Sequence, residues 1–190
     1  QNLGLAIAPR WHYAVVVGYD LPQRTIVLRS GTTRREILPL TTFEHTWARG
    51  GHWAFVALPP GQLPPRVDVE TAVQASVAFE RVAAPAQAVR AYETLLARWP
   101  EPLLAWLGLG NARLAAGDAR AAAVAYGEAA RRHDSAVAWN NLAQALARLG
   151  RRTEALDAAR RAVARAETAE PTWVDATRQT LRELEAEARP

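Results

Sequence analysis

Two stretches decide the reading: Trp106-Leu107-Gly108-Leu109-Gly110-Asn111 and, 33 residues further on, Trp139-Asn140-Asn141-Leu142-Ala143-Gln144. Each sets a large ring ahead of a Leu and then a small residue. The similarity continues through Gly117, Ala122, Tyr126 and Ala129 in one unit and Gly150, Ala155, Ala159 and Ala162 in the next. A bulky side chain near the start of a first helix, small residues at the helix crossings and Gly at the turn let two helices lie closely antiparallel. One such hairpin cannot bury its apolar face alone, so neighbours must stack. A weaker unit precedes these two, with Phe79, Ala88, Tyr92, Leu95 and Pro100, and Trp173 opens a final helix rich in Glu and Arg. The pattern predicts helix pairs near 69–82/86–98, 103–115/119–132 and 136–148/152–165, then a capping helix over 171–187.

The spacing is close to the about 34-residue period of tetratricopeptide repeats. On that reading the repeats occupy 69–102, 103–135 and 136–169, with a cap over 170–188, and form an all-α superhelix. The first helix of each pair then lines the concave surface. Counting along the repeat, the outward positions there are Asn111 and then Asn140, Asn141, Gln144 and Arg148. Amide and guanidinium groups along a groove can bond an extended peptide's backbone or its terminal carboxylate, so the expected partner is a protein or peptide. The plainer reading also stands: Asn and Gln are ordinary polar surface, and the repeat consensus itself favours Asn at two of these sites.

At 49% hydrophobic and 22% charged, the 190-residue chain has the make-up of a folded protein. Every basic side chain is Arg, and the net charge is only +4. Arg131-Arg132, Arg151-Arg152 and Arg160-Arg161 share their helices with Glu128, Glu154 and Asp157. That mixture describes a solvated face, and no nucleic-acid partner is expected. No apolar run reaches the about 18 residues of a membrane span. There is no Cys, and His45 and His52 lack the carboxylate cluster a metal would need. No cofactor or metal is expected.

The front of the chain has a different character. Tyr13-Ala14-Val15-Val16-Val17-Gly18-Tyr19 is a β-branched run ended by Asp20-Leu21-Pro22, and Thr25-Ile26-Val27-Leu28-Arg29 is a second, stopped by Ser30-Gly31. Together they predict an antiparallel hairpin. Residues 35–40 read as a third strand, 42–47 as a short helix, and Trp53-Ala54-Phe55-Val56-Ala57-Leu58 as a last strand. Four prolines between Pro59 and Pro65 place a linker at 61–68. The fold class is therefore α+β, a partial antiparallel sheet over 1–60 followed by helical repeats. So small a sheet cannot bury much core, which, with the absent initiator Met, leads us to expect a fragment of a larger domain.

His12-Tyr13-Ala14-Val15-Val16-Val17-Gly18-Tyr19-Asp20 resembles the histidine segment of papain-like cysteine peptidases of the bacteriocin-processing, double-glycine type. With Gln1-Asn2-Leu3-Gly4-Leu5 and Leu28-Arg29-Ser30-Gly31-Thr32, the chain is similar to a bacterial branch that joins such a domain to tetratricopeptide repeats. The resemblance implies that residues 1–60 are the C-terminal β half of the peptidase domain. It further implies that His12 is the general base and that Ser30 stands at the third-member position usually held by Asp or Asn. It also implies an envelope or exported bacterial protein. The nucleophilic Cys is missing from these 190 residues, so this chain alone should be inactive. The alternative is a non-catalytic binding or scaffold protein, with His12 a structural residue.

Overall fold

A computed structural model describes Leu3, Ala8 and residues 10–187. The Gln1-Asn2 and Gly4-Leu5 part of the resemblance lies outside the described residues. The chain divides into two compact units, Gln1–Ala57 and Leu58–Pro190.

The first unit is built on three antiparallel strands, β1 (Ala14–Asp20), β2 (Thr25–Ser30) and β3 (Thr33–Pro39), in that order across the sheet. Asp20 closes the first turn, its carboxylate accepting the Gln23 amide at 2.9 Å, the local bond that makes Asp a turn residue. A bulge interrupts the β1–β2 ladder between Val16 and Gly18, and another interrupts β2–β3 between Leu28 and Ser30. Helix α1 (Leu40–Ala48) packs on β2 and β3. Ile26 and Leu28 are the buried hydrophobic residues described in this unit, whereas Val15, Val16 and Val17 remain at least half exposed.

The expected strand over Trp53–Leu58 does not form. Its apolar run has the side chains of a strand, but a strand also needs a neighbouring backbone, and this segment has no ladder partner. It is held by rings instead: Trp53 meets Tyr13 edge-on at 6.0 Å, and Trp47 Nε1 donates to the Trp53 carbonyl at 2.9 Å.

The second unit is helical throughout, in α2 (Val69–Glu80), α3 (Pro85–Arg98), α4 (Leu103–Ala115), α5 (Ala119–His133), α6 (Ala136–Arg148), α7 (Arg152–Ala169) and α8 (Val174–Glu187), with a 3-10 turn at Pro171–Trp173 before the last. The helices fall where the recurrence of large and small residues places them. Asp68 and Asp118 begin α2 and α5 by accepting the Thr71 and Ala121 amides at 2.8 and 2.9 Å. Gly117 and Gly150, one per repeat, take the left-handed conformation at the turns (φ 82° and 71°), which costs a residue with a Cβ more.

Helix α4 shows why the packing needs small residues. A Cβ on Gly108 would lie 2.2 Å from the Tyr92 ring, and one on Gly110 would lie 2.3 Å from the Tyr126 ring. Both tyrosines are fully buried, so α4 is pressed between two rings contributed by α3 and α5. In the third repeat Ala159 stands where Tyr126 stood, and Leu181 and Leu184 of α8 complete that core. The two repeat tryptophans are latched alike. Trp106 Nε1 donates to the Pro100 carbonyl (2.8 Å) and Trp139 Nε1 to the Asp134 carboxylate (2.9 Å), with Arg132 and Arg161 over their respective rings. Glu170, just beyond α7, reaches back to the start of α6, accepting the Ala136 amide and the Ser135 hydroxyl, each at 3.1 Å.

The proline-rich stretch is not a free tether. Leu63 and Val67 pack on the core of the α2–α3 hairpin, and the Arg98 guanidinium donates to the Pro64 and Pro65 carbonyls at 3.0 Å.

Gly108→Ala and Gly110→Ala should each destabilise the repeats by up to about 2 kcal/mol, an overpacking cost of about 1–3 kcal/mol offset by about 1 kcal/mol of helix propensity. Gly127→Ala, in open space on α5, should instead stabilise by up to about 1 kcal/mol. Thermal unfolding followed by circular dichroism separates the cases. Equal effects at Gly110 and Gly127 would rule out the ring contact as the cause.

Candidate functional site

A helix that repeats polar residues at i, i+4 and i+8 lines them along one side. On α6 those residues are Asn140, Gln144 and Arg148, with Asn141 beside them. Gln144 and Arg148 are exposed and Asn141 is half-buried. Asn140 corrects the expectation of an outward position: it is only 6% exposed, and its Oδ1 has no hydrogen-bond partner. Helix α6 packs against α5, α7 and α8, and that enclosure reaches the N-terminal end of the stripe but not its C-terminal end. Gln144 Nε2 donates to the Thr180 hydroxyl of α8 at 3.4 Å.

On α4, Asn111 is exposed, and its Oδ1 accepts the Tyr126 hydroxyl at 2.7 Å. A buried phenol needs such a partner, and the bond commits the Asn111 oxygen, so that its amide N–H groups are what it can offer a ligand. Burial pushes the Tyr126 phenol up to about 12. The Glu80 carboxylate pushes in the same direction, and the Arg148 guanidinium opposes both. Glu80 itself accepts the Tyr92 hydroxyl at 2.7 Å, and burial raises the Tyr92 phenol too, with Glu80 adding to the shift. The C-terminal ends of α2, α4 and α6 thus gather Glu80, Asn111 and Arg148 around two phenols. The sequence reading treats Tyr92 and Tyr126 as packing residues and passes over Glu80. The available signal was that a Tyr at a core position must send its hydroxyl somewhere polar.

In the first unit, His12 Nε2 and the Ser30 hydroxyl lie 2.9 Å apart. Ser30 pairs with Ala14 at the start of β1, and His12 lies just ahead of that strand. No group of three His, Asp or Glu side chains suited to a metal ion occurs among the described residues. No described helix is long and apolar enough to cross a membrane.

The family model described as tetratricopeptide repeat matches residues 78–136 and 107–170, so repeats of that type lie within the stacked hairpins of the second unit. Solved structures share the architecture. The type III secretion chaperone SycD of Yersinia enterocolitica, in complex with a peptide of the translocator YopD, superposes with a TM-score of 0.57 at 17% identity, covering 64% of this chain and 95% of that one. PcrH of Pseudomonas aeruginosa, in complex with the chaperone binding region of PopD, gives 0.60 at 17% identity over 67% of this chain and all of the other. The TPR2B domain of yeast Sti1, in its pHsp70 complex, gives 0.57 at 17% over 63% and 97%. At this identity the likeness is one of fold. No curated protein sequence matches the chain. SycD, PcrH and the Sti1 domain are matched through their helical repeats, and they lend the papain-like reading no support.

Because the folded state keeps Tyr126 neutral, the stability this gives is complete below the ordinary tyrosine pKa of 10.0 and is lost as pH rises through about 12. Urea unfolding should therefore weaken across that window, and Tyr126→Phe should show a shallower decline. Identical slopes would mean that the phenol is not held in its neutral form.

Proposed function

We propose that the helical unit is a protein-interaction module that holds an extended peptide segment along the side of α4 and α6 bearing Asn111, Asn141, Gln144 and Arg148. The observation that carries the reading is the set of exposed hydrogen-bond donors on these two helices, Asn111 on α4 and Gln144 and Arg148 on α6. The Asn111 amide and the Arg148 guanidinium supply donors for peptide carbonyls or carboxylates. The solved chaperone structures support the same reading, since SycD holds a YopD peptide and PcrH the chaperone binding region of PopD on this fold.

Replacing Gln144 and Arg148 together with Ala should weaken peptide capture about tenfold or more, in line with about 1.5–3 kcal/mol for a hydrogen bond to a charged group. The helical dichroism should not change, because both side chains are exposed. Calorimetric titration of bound peptide measures it. Capture equal to that of the parent would move the site elsewhere.

The His12–Ser30 hydrogen bond favours a second reading of the first unit, as the histidine half of a papain-like peptidase. Ser30 can orient the imidazole but cannot offset imidazolium charge as a carboxylate would. With no Cys in the chain, the thiol would come from outside these residues. In a polypeptide that supplies it, His12→Ala should reduce turnover by about a thousandfold or more and leave peptide capture intact. Undiminished turnover, or none in the parent, would leave His12 a structural residue.

A further inference from the structure

Arg29 lies one residue before the end of β2, and Arg34 and Arg35 follow the first residue of β3 across a tight turn. The ladder pairs Leu28 with Glu36 and Ser30 with Thr33, so one residue, Arg29, faces two, Arg34 and Arg35. A bulge of this kind re-aims side chains, and all three guanidinium-bearing residues line one open depression of about 560 Å³. None of the three enters an ion pair among the described residues. Like charges set opposite one another in a ladder destabilise it. The acidic residue of the depression, Asp20, lies at its other end, pairing with Thr25, about 13 Å along the strand from Arg29.

Between these ends lie Val17, Val27 and Ile37, with Tyr19 beside them. Val17 is the extra residue of the β1 bulge and Ile37 stands on β3, each more than half exposed. Gly18 lies opposite Val27 and has no side chain to cover it. Three uncompensated cations beside bare aliphatic surface are two separate costs, and one occupant removes both. That occupant has carboxylates next to apolar side chains. Single-stranded nucleic acid fits less well, because successive bases stack on several aromatic rings and the depression offers one, Tyr19, beside Val17, Val27 and Ile37.

We propose that this face of the sheet docks an acidic peptide segment of a partner protein. Its carboxylates lie on Arg29, Arg34 and Arg35, and an adjoining aliphatic side chain rests on Val17, Val27 and Ile37. This surface belongs to the first unit, and the repeat helices belong to the second.

The test uses the full chain and fluorescence anisotropy of a labelled peptide, Asp-Glu-Asp-Leu-Val-Leu. Binding should saturate, weaken as salt is raised, and fall about tenfold or more in the Arg29→Gln, Arg34→Gln, Arg35→Gln triple variant. Arg34→Gln alone should give an intermediate loss, and Ile37→Ala a smaller one that salt does not mimic. The triple variant should keep the parent's dichroism and unfold no earlier, since it removes like-charge repulsion. The proposal fails if the triple variant binds as the parent does, or if the loss appears instead in the Gln144, Arg148 variant. It fails also if a single-stranded oligonucleotide binds this face more tightly than the peptide.

Discussion

Two phenol rings occupy the volume that two missing side chains leave on α4. Tyr92 lies against Gly108 and Tyr126 against Gly110, each within a distance that any Cβ would violate, and the helix is pinned between α3 and α5. Protein interiors are packed densely enough that such a contact tolerates little adjustment. The alanines at the other crossings, Ala122, Ala129, Ala155, Ala159 and Ala162, all fully buried, extend the same solution along the stack. They add little hydrophobic area each, but they let backbones approach.

That packing also shapes the polar surface. A tyrosine can fill the gap only if its hydroxyl finds a partner, and the partners are Glu80 and Asn111. The residues that close the core therefore fix the orientation of side chains on the candidate binding face. Core and site share atoms here, so a change in one reaches the other without any conformational switch.

The helices were legible in the sequence because large and small residues recur locally at matched intervals. The three strands were legible because β-branched runs end in turn residues. What was not legible depended on neighbours distant in sequence. Trp53–Leu58 has a strand's composition but no ladder to join. Asn140 counts as outward along the repeat, yet three flanking helices bury it. The prolines at 59–65 read as a spacer, while the carbonyls of Pro64 and Pro65 are held by Arg98, over thirty residues away. For the candidate sites the same division applies. His12 and Ser30 were singled out by a resemblance, and their side chains lie 2.9 Å apart. The meeting of Arg29 with Arg34 and Arg35 depends on a bulge that composition does not announce.

The carboxylate of Glu170 gives the array a direction. It closes the first turn of α6 from a point beyond the end of α7, so the beginning of one helix is sealed by residues made a whole hairpin later. A nascent chain emerging from the ribosome would hold α6 with an open end until that carboxylate arrived. Once folded, loss of the carboxyl-terminal segment by a protease would leave the third hairpin frayed at its start as well as bare on its flank.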